Sequence, residues 1–207
     1  MPNHVSYESN LMTPSKIVCV GRNYVAHIQE LNNDMPGELV LFMKPNSAIS
    51  EQLIAPSQRC RFETEICFLV KGGTFAAVGV GFDLTLVDVQ KRLKEKRLPW
   101  EKSKAFNASA TFSHFVSCPE TLDQLVVQLD VDGARQQYGG TELMIYKPDE
   151  ILRQVKELFT LEDGDIVMTG TPKGVDDIKA GSTYEVTLFN GEEVLVTQRW
   201  EAAAAST

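Results

Sequence analysis

Residues 62–70 read Phe-Glu-Thr-Glu-Ile-Cys-Phe-Leu-Val, alternating apolar and polar at first and then apolar throughout. A period of two is strand-like, and an unbroken apolar run of this length suits a strand covered on both faces. Shorter apolar runs predict further strands at 17–20, 39–43, 75–82 and 165–169. Val25, Ile28 and Leu31 recur at helical spacing and predict a helix over 23–31, and Leu86, Val89 and Leu93 predict another over 85–97. Pro148 suits the first turn of a third helix ending at Phe159. Residues 125–131 and 134–138 predict a hairpin turning at Asp132-Gly133, and 183–189 with 193–200 a second one joined at Asn190-Gly191. Strands outnumber helices, so the expected class is α+β and mainly β, with a rolled or sandwiched sheet. Residues 1–15 are expected to form an N-terminal arm, 16–200 a single domain and 201–207 a loose tail.

The composition is that of an ordinary globular chain of 207 residues, 43% hydrophobic and 23% charged. Its net charge of −8 argues against nucleic acid as a partner, because phosphate binding needs clustered cations. Small anionic substrates remain open, since they need only a few local charges or a metal. No apolar stretch approaches the roughly 20 residues of a membrane span. The four cysteines lack a CxxC pair and read as buried free thiols, which together with the polar N-terminus favours the cytoplasm.

Three groups of residues carry possible chemistry. Glu63 and Glu65, at i and i+2 of a strand, project from one face. They form either a solvated strand end or, with Asp83 brought alongside by the next strand, an all-oxygen site for Mg²⁺ or Mn²⁺. Asp83 alone also suits a helix N-cap before Thr85. His27 and Glu30, at i and i+3, share a helical face, so the carboxylate can orient the imidazole as a general base. An exposed surface pair is the plainer alternative. Residues 169–174, Thr-Gly-Thr-Pro-Lys-Gly, lack the P-loop order but could hold a carboxylate on backbone amides, or form a simple turn.

Taken in order, these segments resemble the fumarylacetoacetate hydrolase family, in particular its short single-domain branch of acylpyruvate hydrolases and oxaloacetate decarboxylases or tautomerases. The resemblance runs from about residue 16 to 198. It rests on Val20-Gly21-Arg22-Asn23-Tyr24 with His27 and Glu30, Leu41-Phe42-Met43-Lys44-Pro45, and Phe62-Glu63-Thr64-Glu65. Asp83-Leu84-Thr85 with Asp88-Val89-Gln90 follows, then Leu98-Pro99-Trp100 leading to Lys104-Ala105-Phe106, and lastly Gly164-Asp165-Ile166 with the 169–174 loop.

The resemblance implies the family's mixed β-sandwich roll with a few short helices, usually as a homodimer. It implies Mg²⁺ or Mn²⁺ on Glu63, Glu65 and Asp83, His27–Glu30 as a water-activating dyad and Lys104 as a substrate-facing cation. Arg22, Asn23, Gln90 and Thr171 would contact substrate or water. The expected activity is hydrolysis of the C–C bond of acylpyruvate-type 2,4-diketo acids through a pyruvate enolate. Oxaloacetate decarboxylation or keto–enol exchange is the alternative, ahead of isomerase or hydratase action on longer keto-diacids and of a noncatalytic metal-binding role. Two departures stand out. Relatives often carry His or Tyr directly before the first metal glutamate, where Arg61-Phe62 stand here, so that Phe62 would keep an aromatic but remove a polar group near the cation. The connections from Lys44 to Glu63 and from Val70 to Asp83 are short, which suggests a trimmed rim.

Overall fold

The structure is a computed structural model, which describes residues 2–205. Its framework is a large sheet built from β1 (Lys16–Gly21), β2 (Val40–Pro45), β3 (Thr64–Lys71), β4 (Thr74–Asp83), β5 (Ala110–Phe112) and β6 (Val116–Ser117). A four-stranded sheet contains β7 (Leu125–Val131) and β8 (Ala134–Gly140). The short β9 (Ile166–Met168) returns to the first sheet, and β10 (Thr183–Asn190) and β11 (Glu193–Glu201) complete the second. The first sheet runs β5-β4-β3-β9-β1-β2, with β6 also on β4, and the second runs β8-β7-β10-β11. Within the first sheet only β9 and β1 pair in parallel.

Both faces of the first sheet are covered, which is why its central strands are apolar without interruption. On β3, Ile66 and Phe68 face the second sheet, meeting Leu125, Val127, Leu129, Tyr184, Val186 and Leu188 in the largest core cluster. Cys67 and Leu69 point the other way, against Ile17, Cys19, Ala77 and Phe115. Phe62, Phe82, Tyr184 and Trp200 make edge-on aromatic contacts between the layers, with centroids 5.4–6.3 Å apart. The architecture is the mainly β sandwich expected from the sequence, with few helices: α1 (Val25–Glu30), α2 (Val87–Glu95), α3 (Glu101–Lys104) and α4 (Pro148–Leu158). Helix α4 lays Ile151 and Val155 on Val18, Val20, Val70 and Val167. None of the helices among the described residues is long and apolar enough to cross a membrane.

Some expectations shift. The strand expected at 62–70 is two strands, because Arg61 and Phe62 pair with Asp177 and Asp176 and Arg61 also with Thr85, in a small side sheet, whereas Thr64 opens the ladder with β4 at Phe82. Thr85 and Leu86 are likewise drawn into that side sheet, so α2 begins at Val87 instead of Thr85. The 132–133 turn behaves as read, with φ of 49° at Asp132 and 81° at Gly133, the doubly left-handed geometry that fits a tight hairpin. The arm folds back as a hairpin of Val5–Tyr7 with Asn10–Met12, and Val5 is buried. The tail is not loose through residue 205: Ala203–Ala204 pair in parallel with Ile54–Ala55, and Ala202 is buried. Residues 206–207 of the expected tail lie outside the described residues. All four cysteines are free, three of them buried.

Candidate active site

The β3–β4 ladder builds the acidic cluster. With Thr64 opposite Phe82, the alternation sets Glu63 across from Asp83, and the Asp83 amide donates to the Glu63 carbonyl at 2.8 Å. One oxygen from each of Glu63, Glu65 and Asp83 lies within 4.8 Å of the others, and all three side chains are buried. The helix-cap alternative for Asp83 falls away, because the residue preceding α2 is Leu86 and makes no side-chain cap. So does the solvated strand end for Glu63 and Glu65.

Two buried lysines reach the cluster. Lys104, from α3, donates to Glu63 Oε2 at 2.7 Å and to Asp83 Oδ2 at 2.5 Å. Lys44, at the end of β2, is fully buried. Its Nζ lies 2.9 Å from Asp83 Oδ1 and donates to Ser109 Oγ and the Ser109 carbonyl at 3.0 Å, and to the Lys104 carbonyl. The Lys44–Asp83 approach is ionic but poorly aligned, leaving Asp83 Oδ1 without a hydrogen bond. Burial acts to raise the Glu63 carboxyl, but Lys104 and then Arg61 hold it well below the usual carboxylate range. Burial acts to lower the Lys104 ammonium, and Asp83 and Glu63 overcome it and raise it.

Glu65 is different. Burial, followed by the charge of Asp83, pushes its carboxyl up, against a hydrogen bond from the Gly170 amide at 2.7 Å and the charge of Lys104. The ion pairs of the cluster go to Glu63 and Asp83, and among the described residues Glu65 has none. A buried carboxylate without a cation beside two others is costly. That buried oxygen set, with Glu65 left without an ion pair and no sulfur or imidazole ligand in the group, fits a hard divalent cation such as Mg²⁺ or Mn²⁺.

The remaining expected residues divide into those that face the cleft and those that brace it. His27, Arg22, Gln90, Lys104 and Thr171 line the same cavity as the three carboxylates, together with Arg61, Lys94 and Trp100. His27 is buried on α1 and its Nδ1 meets Glu30 Oε2 at 3.1 Å. With Nδ1–H given to Glu30, Nε2 keeps its lone pair. Asn23, by contrast, is spent on the scaffold and is absent from the cavity wall. Its amide nitrogen donates to the Tyr146 and Thr169 carbonyls at 3.0 and 2.9 Å, and its oxygen accepts from the Tyr146 amide at 2.7 Å. The Thr171 hydroxyl donates to the Thr64 carbonyl at 2.9 Å and accepts from Gln137 at 2.8 Å. The cavity measures 40 Å³, room for a few waters.

The 169–174 loop does bind carboxylates on its amides, but they are the protein's own. Gly170 (φ 98°) serves Glu65, and Gly174 (φ 103°) donates to Glu30 Oε1 at 2.9 Å. A Cβ at Gly174 would sit 2.1 Å from the Gln136 carbonyl, so only glycine fits. Phe62 does not stand near the acidic cluster: its ring is buried in the core against Phe82 and Tyr184. Arg61 is the residue that faces the cleft, 3.0 Å from Glu63 Oε1 and 3.5 Å from Gln90 Oε1. Sequence reasoning assigned no role to Lys44, Arg61 or Lys94. For Lys44 a signal existed, since alternation from Phe42 puts it on an inward face.

Known proteins match most of this chain. A model of the family described as Fumarylacetoacetate (FAA) hydrolase C-terminal matches residues 16–199. Oxaloacetate tautomerase YcgM of Escherichia coli (strain K12) is 38% identical over 200 residues, covering 87% of this chain and 90% of that protein. The mitochondrial oxaloacetate tautomerase FAHD1 of Homo sapiens is 36% identical over 190 residues, covering 82% and 85%. A solved structure from Oleispira antarctica superposes with a TM-score of 0.91 at 30% identity, over 98% of this chain and 100% of that one. The fumarylpyruvate hydrolase of Pseudomonas aeruginosa, solved with Mn²⁺ and pyruvate, gives 0.86 at 25% identity, over 99% and 97%. Because the family match begins at β1, ends within β11 and takes in the dyad, the acidic cluster and both buried lysines, the chain belongs to the fumarylacetoacetate hydrolase family.

Proposed function

We propose that this chain is a divalent-metal-dependent enzyme that interconverts the keto and enol forms of oxaloacetate or a close 2-keto acid. The observation that carries it is the convergence of His27, Lys104 and three buried carboxylates on one cavity. The tautomerase choice is supported by the named activity of relatives that align over more than four-fifths of the chain.

A cation on Glu63, Glu65 and Asp83 would supply positive charge that attracts a 2-keto carboxylate and favours its enolate. His27 Nε2 removes a proton from C3, and Glu30 steadies the imidazolium through Nδ1–H. The electron pair released at C3 shifts to the 2-oxygen, where Lys104, drawn off its carboxylates, balances the growing charge. The proton held on His27 then returns through solvent or substrate to that oxygen, so the exchange is redox-neutral and consumes nothing. Phe42 and Trp100, 6.1 Å apart, wall the cavity and limit water beside the enolate.

Acylpyruvate hydrolysis, the activity expected first from the sequence, is the second reading. It is favoured by the likeness to the fumarylpyruvate hydrolase, and it would have His27 take its proton from water. Mg²⁺ or Mn²⁺, a homodimer and a cytoplasmic location are parts of the same proposal. Purified protein with Mg²⁺, with Mn²⁺ and with chelator should be tested on oxaloacetate, acetylpyruvate and fumarylpyruvate. Metal-dependent relaxation of the oxaloacetate enol absorbance, at constant total oxaloacetate, is expected. Loss of total oxaloacetate would mean decarboxylation, and cleavage of a diketo acid without enol exchange would install the hydrolase reading.

A further inference from the structure

Three cations on the cavity wall have no part in the chemistry above: Arg22, Arg61 and Lys94. Arg22 is held in left-handed backbone (φ 57°), a strained conformation for a non-glycine residue. Its buried Nε has no hydrogen-bond partner, and Nη1 makes only a long 3.4 Å contact to the Asp34 carbonyl. Lys94 rests 5.2 Å from the Trp100 ring centroid and, among the described residues, forms no salt bridge. Burial first, then the charges of Arg22 and Arg61, push its ammonium down to about 8, so the three cations stand near enough to repel. Arg61 links this outer group to the acidic cluster, reaching Glu63 on one side and Gln90 on the other.

Among the described residues Arg22 and Lys94 have no ion-pair partner, and Arg61 shares Glu63 with Lys104; like charges gathered at a concave site in this way are laid out to receive an anion. The charge count gives its valence. Four cations, Arg22, Arg61, Lys94 and Lys104, face three carboxylates on the cavity wall, and a divalent cation would add two positive charges. A monocarboxylate would leave most of that excess standing, whereas a dicarboxylate offsets two charges and places its second carboxylate away from the acidic cluster.

We infer that Arg22, Arg61 and Lys94 form a subsite for a distal carboxylate, which makes the substrate class 2-keto dicarboxylates and not 2-keto acids with a neutral tail. The inference rests on the proposed 2-keto acid site and narrows it. Oxaloacetate and its 4-methyl ester differ little in shape and by one distal charge, so keto–enol exchange with Mg²⁺ on this pair is the test. The wild-type KM for oxaloacetate is expected at least tenfold below that for the ester, and Lys94→Met and Lys94→Glu should draw the ratio toward one. Equal KM values in the wild type, or a ratio that both variants preserve, would overturn the subsite. Calorimetry of the Mg²⁺-loaded protein separates this from the reaction. If neither compound turns over, yet oxaloacetate binds at least tenfold tighter than pyruvate and Lys94→Met removes the difference, the subsite stands and the assigned reaction falls. Equal binding of oxaloacetate and pyruvate rejects the subsite whatever the reaction.

Discussion

Lys44 and Glu65 show how opposite kinds of buried charge are handled within a few ångströms. Lys44 has an acidic neighbour and several oxygen acceptors, so its ammonium is satisfied without water. Lys44→Met should cost about 3 kcal/mol in urea unfolding, since it strips a buried pair of one partner. A variant within 0.5 kcal/mol of the wild type would mean that Lys104 alone neutralises Asp83. Glu65 lacks any such partner, so Glu65→Gln should leave the metal-free protein at least as stable as the wild type. The same change should abolish the rise in unfolding temperature on adding Mg²⁺ or Mn²⁺. A destabilised variant that still responds to metal would remove Glu65 from the ligand set. Glu65 was legible in the sequence because a carboxylate entering an apolar strand demands a reason. Lys44 gave only a divided signal, because alternation from Phe42 turns it inward while a lysine just before Pro45 at a strand end also suits a chain turning out to solvent.

The 169–174 loop ties the base to the carboxylates through its backbone. Gly174 lies 144 positions from Glu30, the residue it serves, and no local spacing can report such a pairing. That is why the loop read more readily as an ordinary turn than as a carboxylate holder. Gly174→Ala should lower kcat for enol exchange about tenfold or more, by displacing the amide that steadies Glu30 behind His27. Metal affinity measured by calorimetry should stay within about twofold, and a matching loss there would place the damage in the acidic cluster. Just before β9, Asp165 plays a comparable part in the frame. Burial opposes its charge, but Lys16, the Glu162 amide and the hydroxyl and amide of Ser15 overcome this and depress its carboxyl. A depressed carboxyl stabilises the fold fully above about pH 4, its unfolded value, and ceases to do so as the pH falls through the lower folded value. Asp165→Asn should therefore lose about 2 kcal/mol at pH 7 and show a flatter acid limb in a plot of stability against pH. A variant whose acid limb matches the wild type would mean that Asp165 is not the group responsible.

Across the chain, the strands were legible because two-sided burial writes itself as apolar runs, and the first hairpin because Asp132-Gly133 favours a left-handed turn. The second hairpin turns one residue later than Asn190-Gly191, with Asn190 still paired to Glu193 and Gly191 (φ 61°) opening the loop. The pairing of β9 with β1 was not legible, since nothing near residue 166 names a partner some 150 positions earlier. The division of the 62–70 run was hidden for the same reason, its first residues being claimed by Asp176 and Asp177 from the far end of the sequence. These long connections put Glu63, Glu65 and Asp83 at the junction of the main sheet with the side sheet, so the most costly charges sit at the end of the central ladder. Neutralising them should stabilise the entire fold and not one segment. A divalent cation at a hundred times its Kd adds about 2.7 kcal/mol to unfolding, which for a chain of this length corresponds to roughly 5–10 °C in Tm. Mg²⁺ or Mn²⁺ titrated into chelator-treated protein should reach that plateau in calorimetry with a single transition, because Glu65 and Asp83 belong to two strands of the central ladder and Glu63 immediately precedes one of them. A separate low-temperature transition that alone responds to metal would show the acidic corner to unfold independently of the sandwich, and no shift with either ion would remove the metal from the proposal while leaving the family assignment intact.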